Sequence, residues 1–157
     1  MPPRRSLKSR ALQLLAQRDQ SRLELRRKLL RHARADAAER DGDDGVEPAA
    51  PEQVEALLDW LEANRFLSSD RFVESRVHAR EARFGNRRIR AELARHGVAV
   101  SPETARALAE SELQRAATVC ERRFAGPPAD AAERAARARF LAGRGFSPDV
   151  IRRLVRR

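Results

Sequence analysis

The chain has 157 residues, a formal net charge of +10, 41% apolar residues and only 4% aromatic ones, a length that suits one domain or a few small units. No stretch of about 18 apolar residues occurs, which argues against a membrane-spanning helix. The single cysteine, Cys120, leaves no internal disulfide and no cysteine metal cluster.

The opening run Met1-Pro2-Pro3-Arg4-Arg5-Ser6 lacks the apolar core of a secretory segment. A flexible N-terminus over residues 1–5 and a cytoplasmic protein are the expectations. Leu7, Ala11, Leu14 and Leu15 recur at helical spacing and predict a helix from Ser6 to about Arg18. Asp19-Gln20-Ser21 interrupts it, and Ser21 is a favourable N-cap for a second helix with the stripe Leu25, Leu29 and Leu30. Residues 33–50, rich in Asp, Gly and Ala, read as an acidic surface loop that should be dispensable for folding.

Pro51-Glu52 opens the next helix, since proline suits the first helical position and a carboxylate suits the positive end of the helix dipole. Val54, Leu57, Leu58 and Leu61 form its core face, and Trp60 beside them reads as packing. Phe66-Leu67-Ser68-Ser69 leads into a helix carrying Phe72, Val73 and Val77. Gly85-Asn86 ends that helix and starts one with Ile89 and Leu93. Gly97 suits a left-handed helix stop, and Ser101-Pro102-Glu103 starts again. Gly126-Pro127-Pro128 breaks this helix. A last pair follows, joined at Gly143-Arg144-Gly145-Phe146 and capped by Ser147. No segment alternates as a strand would.

Charge is unevenly placed along these elements. Residues 1–32 carry net +8, residues 33–70 net −8, and residues 71–97 and 129–157 net +5 each. Basic blocks of this kind favour polyanions or acidic protein grooves.

The segments starting at Ser21, Gly85 and Phe146 share a turn, a basic helix and a small apolar face. Pro51-Glu52 with Leu57 likewise echoes Pro102-Glu103 with Leu108. The expected fold is therefore all-α: an elongated array of three tandem three-helix repeats, with eight or nine helices and no sheet. The repeats are expected at 6–66, including the 33–50 insertion, at 67–109 and at 110–157.

The residues offer little to catalysis. His32, His78 and His96 lack metal-ligand spacing, Cys120 has no histidine nearby in sequence, and the glycines lie at helix ends rather than in a phosphate-binding loop. The expectation is a protein that is not an enzyme and uses no metal or other cofactor. Turn-linked basic helices also fit a helix-turn-helix DNA reader, although charge alone supplies only sequence-independent phosphate binding.

Leu67-Ser68-Ser69-Asp70-Arg71-Phe72-Val73-Glu74 followed by Arg87-Arg88-Ile89-Arg90-Ala91-Glu92-Leu93-Ala94-Arg95-His96-Gly97-Val98 resembles the middle of RecX proteins. The opening Ala11 to Ala16 with Ser21 to Leu29, and the closing Phe140-Leu141 with Arg144 to Ser147 and Ile151, extend the resemblance in the family's order. The chain departs from the family pattern in its longer acidic loop, in sparse aromatics in the third unit, and at Asn86, where a proline commonly follows the glycine.

The resemblance implies a monomeric regulator of RecA that binds the RecA–DNA filament and suppresses strand exchange, ATP hydrolysis and co-protease activity, with single- or double-stranded DNA as a further partner. Two other readings of the same residues are a generic basic helical nucleic-acid-binding protein without a RecA role and an adaptor for another acidic protein. Arg87, Arg88 and Arg90, with Arg144, Arg152 and Arg153, are the expected contact residues. Their positions between the apolar stripes send their heads outward. Arg22, Arg26 and Arg27 are the equivalent set in the first unit, where the acid-rich segment 33–70 could screen them.

Overall fold

In the computed structural model, which describes residues 6–39 and 50–156, eight α-helices run in sequence and no described residue lies in a strand. They are α1 (Leu7–Gln17), α2 (Arg22–Ala38), α3 (Pro51–Ala63), α4 (Ser69–Glu81), α5 (Asn86–Arg95), α6 (Pro102–Arg123), α7 (Ala131–Gly143) and α8 (Pro148–Val155). The all-α expectation holds. The chain divides into two compact units, Met1–Phe72 and Val73–Arg157.

The first unit packs α1, α2 and α3 around one cluster. Ala11, Leu25, Leu29, Val54, Leu58, Leu61 and Leu67 are buried in it, with Leu14, Leu15, Leu30 and Trp60 packed on its edge. Each fully buried leucine contributes about 1.5–3 kcal/mol. Caps set where the helices begin. The Ser6 hydroxyl accepts from the Ser9 N–H, and the Ser21 hydroxyl from the Glu24 N–H. Gln20 is buried but satisfied: its amide donates to the Leu14 carbonyl at 2.9 Å and accepts from Lys28. Arg71 ties the α3–α4 turn to the α1–α2 turn, donating to the Arg65 and Phe66 carbonyls and to Asp19.

One boundary differs from the sequence reading. Helix α2 continues to Ala38, so residues 33–38 are helical rather than part of the acidic loop. Alanine favours helix enough to carry the element through them, Ala33 is buried, and His32 faces Asp36 one turn on. The remainder of the loop, residues 40–49, lies outside the described residues.

In the second unit, Val73, Val77, Ile89, Leu93 and Leu108 are buried along α4, α5 and the first half of α6. The 22-residue α6 then carries Ala116, Val119 and Cys120 into a cluster with Leu141, Phe146 and Val150 of the last two helices. Phe124 and Phe140 meet edge to face against it, centroids 5.6 Å apart. Gly97 and Gly145 adopt left-handed φ values of 72° and 82° at the α5 and α7 stops, where a side chain would be strained.

Candidate partner-binding surfaces

Two turns of the second unit lie directly against each other. The Gly85 N–H donates to the Arg144 carbonyl at 2.9 Å and the Arg87 N–H to the Gly145 carbonyl at 3.0 Å. A Cβ on Gly145 would stand 2.4 Å from Cβ of Arg88, so this approach requires glycine. The turn before α5 and the turn before α8 thus form one piece.

Glu112 of α6 closes this junction from below. Its side chain is 4% exposed, and Oε1 accepts from the Asn86 N–H at 3.0 Å and the Ser147 N–H at 3.1 Å. One carboxylate therefore holds the starts of two helices, where unpaired N–H groups and helix dipoles favour negative charge. Ser147 occupies the expected cap position of α8, but its hydroxyl makes no capping bond. Asn86 matters for a related reason: a proline there would have no N–H to give Glu112.

Arg115, one turn further along α6, donates to the Glu81 and Phe84 carbonyls at 3.0 and 2.8 Å, to the Leu108 carbonyl, and to Oδ1 of Asn86. Burial pushes its pKa down, against the attraction of Glu112 and Glu81. Neither Glu112 nor Arg115 is distinguishable in the sequence from the other charged residues of α6.

This framework presents arginines on its outer side. The Arg88 guanidinium lies 4.2 Å above the half-buried Phe84 ring, and that of Arg144 lies 5.5 Å from the same ring and 5.3 Å from Phe140. Aromatic faces attract such cations without consuming their hydrogen-bonding edges. Arg88 and Arg144 also reach the Gly143 and Arg83 carbonyls at 3.5 Å. Arg87 is exposed beside them, its backbone fixed on Gly145.

The other expected contact residues fall apart from this group. Arg90 and Arg153 are exposed on α5 and α8, and Arg152 is paired with Asp149 one turn back. In the first unit, Arg22 donates to Glu55, Asp59 and Glu62 of α3 at 2.7–2.9 Å, and Arg26 pairs with Glu55. These three acids belong to the net-negative stretch 33–70, and they occupy Arg22 and Arg26 directly. Arg27 points away from α3 and has no partner among the described residues. The arginines that sequence reasoning passed over are Arg31 and Arg34, on the same outer stripe as Arg27, and Arg83 beside Phe84. The i, i+4, i+7 spacing of Arg27, Arg31 and Arg34 was the signal for the first two.

No group of His, Cys, Asp and Glu among the described residues could hold a metal ion, and no helix among them is long and apolar enough to cross a membrane. Cys120 is buried in the last cluster, and burial pushes its thiol pKa up, against a smaller opposing pull from Arg137. That makes it the small buried hydrophobe expected, poorly ionised at neutral pH.

Comparison with known proteins gives a consistent result. The family model described as the third three-helix domain of RecX matches residues 109–155. "Regulatory protein RecX" of Herbaspirillum seropedicae is 50% identical over 150 residues, which cover 94% of this chain and 87% of the relative. The protein of the same name from Leptothrix cholodnii is 47% identical, covering 98% of this chain and 90% of the relative. The crystal structure of RecX from Lactobacillus salivarius superposes with a TM-score of 0.67 at 17% identity, covering 96% of this chain and 92% of that one, a likeness of fold.

Proposed function

This chain belongs to the RecX family, and from that premise we propose that it is a non-enzymatic modulator of RecA. It acts as a cytoplasmic monomer that binds the RecA–DNA filament. It lowers strand exchange, ATP hydrolysis and co-protease activity, and thereby regulates recombinational repair and the SOS response. No cofactor takes part. The repeats at 6–66, 67–109 and 110–157 serve as linked contact modules whose weak interactions add through effective concentration.

The observation that carries this reading is the pair Arg88 and Arg144 meeting over Phe84 on two locked turns. Such a surface is rigid, so little side-chain entropy is lost when a partner docks. The guanidinium N–H groups not directed at the Gly143 and Arg83 carbonyls suit the carboxylates of a protein groove.

The test is RecA ATPase on single-stranded DNA, titrated with substoichiometric amounts of this protein at two salt concentrations. Changing Arg87, Arg88 and Arg90 together to Ala should weaken inhibition, while binding to bare DNA changes less. Unchanged inhibition in that variant and in one with Arg144, Arg152 and Arg153 changed to Ala would sink the assignment. Inhibition only at amounts that coat the DNA would favour a generic nucleic-acid binder.

A further inference from the structure

The first unit holds an aromatic surface apart from its arginines. Helices α3, α5 and α7 stop in the same way. At each, one N–H bonds back three residues and the next bonds back five: Arg65 to Glu62 and Phe66 to Leu61, Gly97 to Ala94 and Val98 to Leu93, Gly145 to Ala142 and Phe146 to Leu141. This stop needs a residue in the left-handed region, normally glycine. Gly97 and Gly145 meet the need, but at the end of α3 the residue is Arg65, with φ of 59°. A side chain there is strained. Such strain persists only where the surroundings impose it, and it gathers at functional positions.

The surroundings do impose it. Nη2 of Arg71 donates to the Arg65 and Phe66 carbonyls, both at 3.1 Å, and pins the turn. The residue after the left-handed one also differs between stops. Phe146 is 1% exposed in the last cluster, whereas Phe66 is 45% exposed. The Phe66 ring stacks on Trp60, centroids 5.6 Å apart and planes 20° from parallel. Trp60 is itself packed on the core of the unit, and the Lys8 ammonium stands 3.6 Å from its ring centroid. Neither Lys8 nor Arg65 has a carboxylate partner among the described residues.

We propose that Phe66, stacked on Trp60 and flanked by Lys8 and Arg65, is a second docking point for RecA, where the ring fills an apolar pocket with a carboxylate at its rim. This rests on RecA being the partner. Aromatic side chains and arginine are what the buried centres of protein interfaces favour. The turn is pinned before docking, so little ordering opposes burial of the ring. The two unpaired cations supply the complement to the carboxylate. A nucleic-acid strand fits less well. Trp60 already covers one face of the ring, and the stretch 33–70 carries net −8. Asp59 and Asp70, both exposed, lie close by in the chain, and such charge repels phosphates. An aromatic ring beside cations also occurs in the second unit at Phe84, so each unit offers RecA a site of the same chemistry.

The test is RecA ATPase on single-stranded DNA, titrated with the full chain and its variants, with urea unfolding of each. Phe66→Ala should raise the amount needed for half inhibition about tenfold, as loss of an aromatic hot spot does. Arg65→Gly is the second variant. It removes the strain, so its urea midpoint should hold or rise, and it removes the cation, so half inhibition should need about threefold more protein. Weaker inhibition with undiminished stability cannot come from damage to the fold. Arg87, Arg88 and Arg90 changed together to Ala report on the RecA reading itself. Loss of inhibition in that variant, with full inhibition by both first-unit variants, overturns the docking point alone. An unaltered chain that does not inhibit RecA overturns the reading and the docking point with it. Phe66→Ala that weakens only in step with a fallen urea midpoint, while Arg65→Gly inhibits fully, also overturns the docking point. Fluorescence anisotropy of a labelled oligo-dT strand without RecA separates a base-stacking platform: Phe66→Ala should bind the strand as the unaltered chain does, and an equal weakening there overturns the assignment to RecA.

Discussion

A Cβ on Gly85 would lie 2.2 Å from the backbone nitrogen of Phe146, so the turn before α5 and the turn before α8 touch through backbone at a point where no side chain fits. The first of these turns leads into the arginines at the start of α5, and the second carries Arg144. Their separation is set by main-chain atoms that cannot rotate aside.

Gly85→Ala is accordingly expected to be costly even though φ at Gly85, −80°, suits any residue. The new methyl would meet main chain, and overpacking of that kind costs about 1–3 kcal/mol or more. Gly143→Ala is the control, because nothing lies within 4 Å of a Cβ there, and it should stay within about 0.5 kcal/mol of the unaltered chain. Urea unfolding of the two variants distinguishes them; equal stabilities would mean the turns separate easily.

Glu112 should prove the most consequential charged residue of α6. Glu112→Ala strands the Asn86 and Ser147 N–H groups, at about 1–3 kcal/mol for each buried donor left unpaired. Glu112→Gln keeps an acceptor oxygen in place and should cost clearly less. Thermal melts of the pair check the order. A Gln variant as unstable as Ala would mean that the charge at the two helix starts dominates over the hydrogen bonds.

These two residues also show where the sequence stops being informative. The starts of helices were legible near Ser6, Ser21, Pro51 and Ser101-Pro102, because a helix start is a local arrangement written in consecutive residues. Gly85 was recognisable as a helix boundary, but its need to be glycine comes from Phe146, which is remote in sequence. Glu112 acts on groups 26 and 35 residues away, and no local pattern encodes that. The end of α2 was misplaced for the opposite reason. Asp and Ala in residues 33–38 resembled the acidic loop after them, while the burial of Ala33 that supports helix there depends on tertiary packing. The outward arginines were identified as a class, but which of them are neutralised depends on α3 lying beside α2.

Acid should weaken the first unit through Glu24. Burial by itself would raise this carboxyl, but hydrogen bonds and charge from Arg18 and Lys28 outweigh it and hold the pKa at about 2, against an ordinary 4.5. A carboxyl depressed on folding stabilises the folded state above its unfolded pKa, and that contribution disappears as pH falls through the folded value. Glu24→Gln should therefore lower the thermal midpoint at pH 7, and the gap to the unaltered chain should close between about pH 4.5 and 2. A gap independent of pH over that window would assign the effect to the hydrogen bonds alone.

Cys120 should behave as an inert core residue. A thiol reagent at pH 8 is expected to label it slowly in the folded chain and quickly in denaturant, since burial disfavours the thiolate. Cys120→Ala should retain RecA inhibition. Cys120→Ser should be the less stable of the two, because it buries a hydroxyl among Val119, Leu141 and Phe146. Rapid labelling of the folded chain, or a folded Ala variant without inhibition, would reopen a redox role.

Phe84 gives the sharpest test of the proposed RecA-binding surface. Its ring lies under the Arg88 and Arg144 guanidinium groups, which come from different turns, and stacking of this kind contributes about 0.5–1 kcal/mol at an exposed site. Phe84→Leu keeps an apolar side chain at a half-buried position, so the fold should lose little. The two cations lose their shared platform and become more mobile, and a surface that relied on holding them still should inhibit RecA ATPase several-fold less well. Arg88→Ala made in the Phe84→Leu background should then cost less than Arg88→Ala alone, because contacts that act together are not additive. Full inhibition by Phe84→Leu, with Arg88→Ala equally damaging in both backgrounds, would show that the ring does not organise the arginines and that each contributes only its charge.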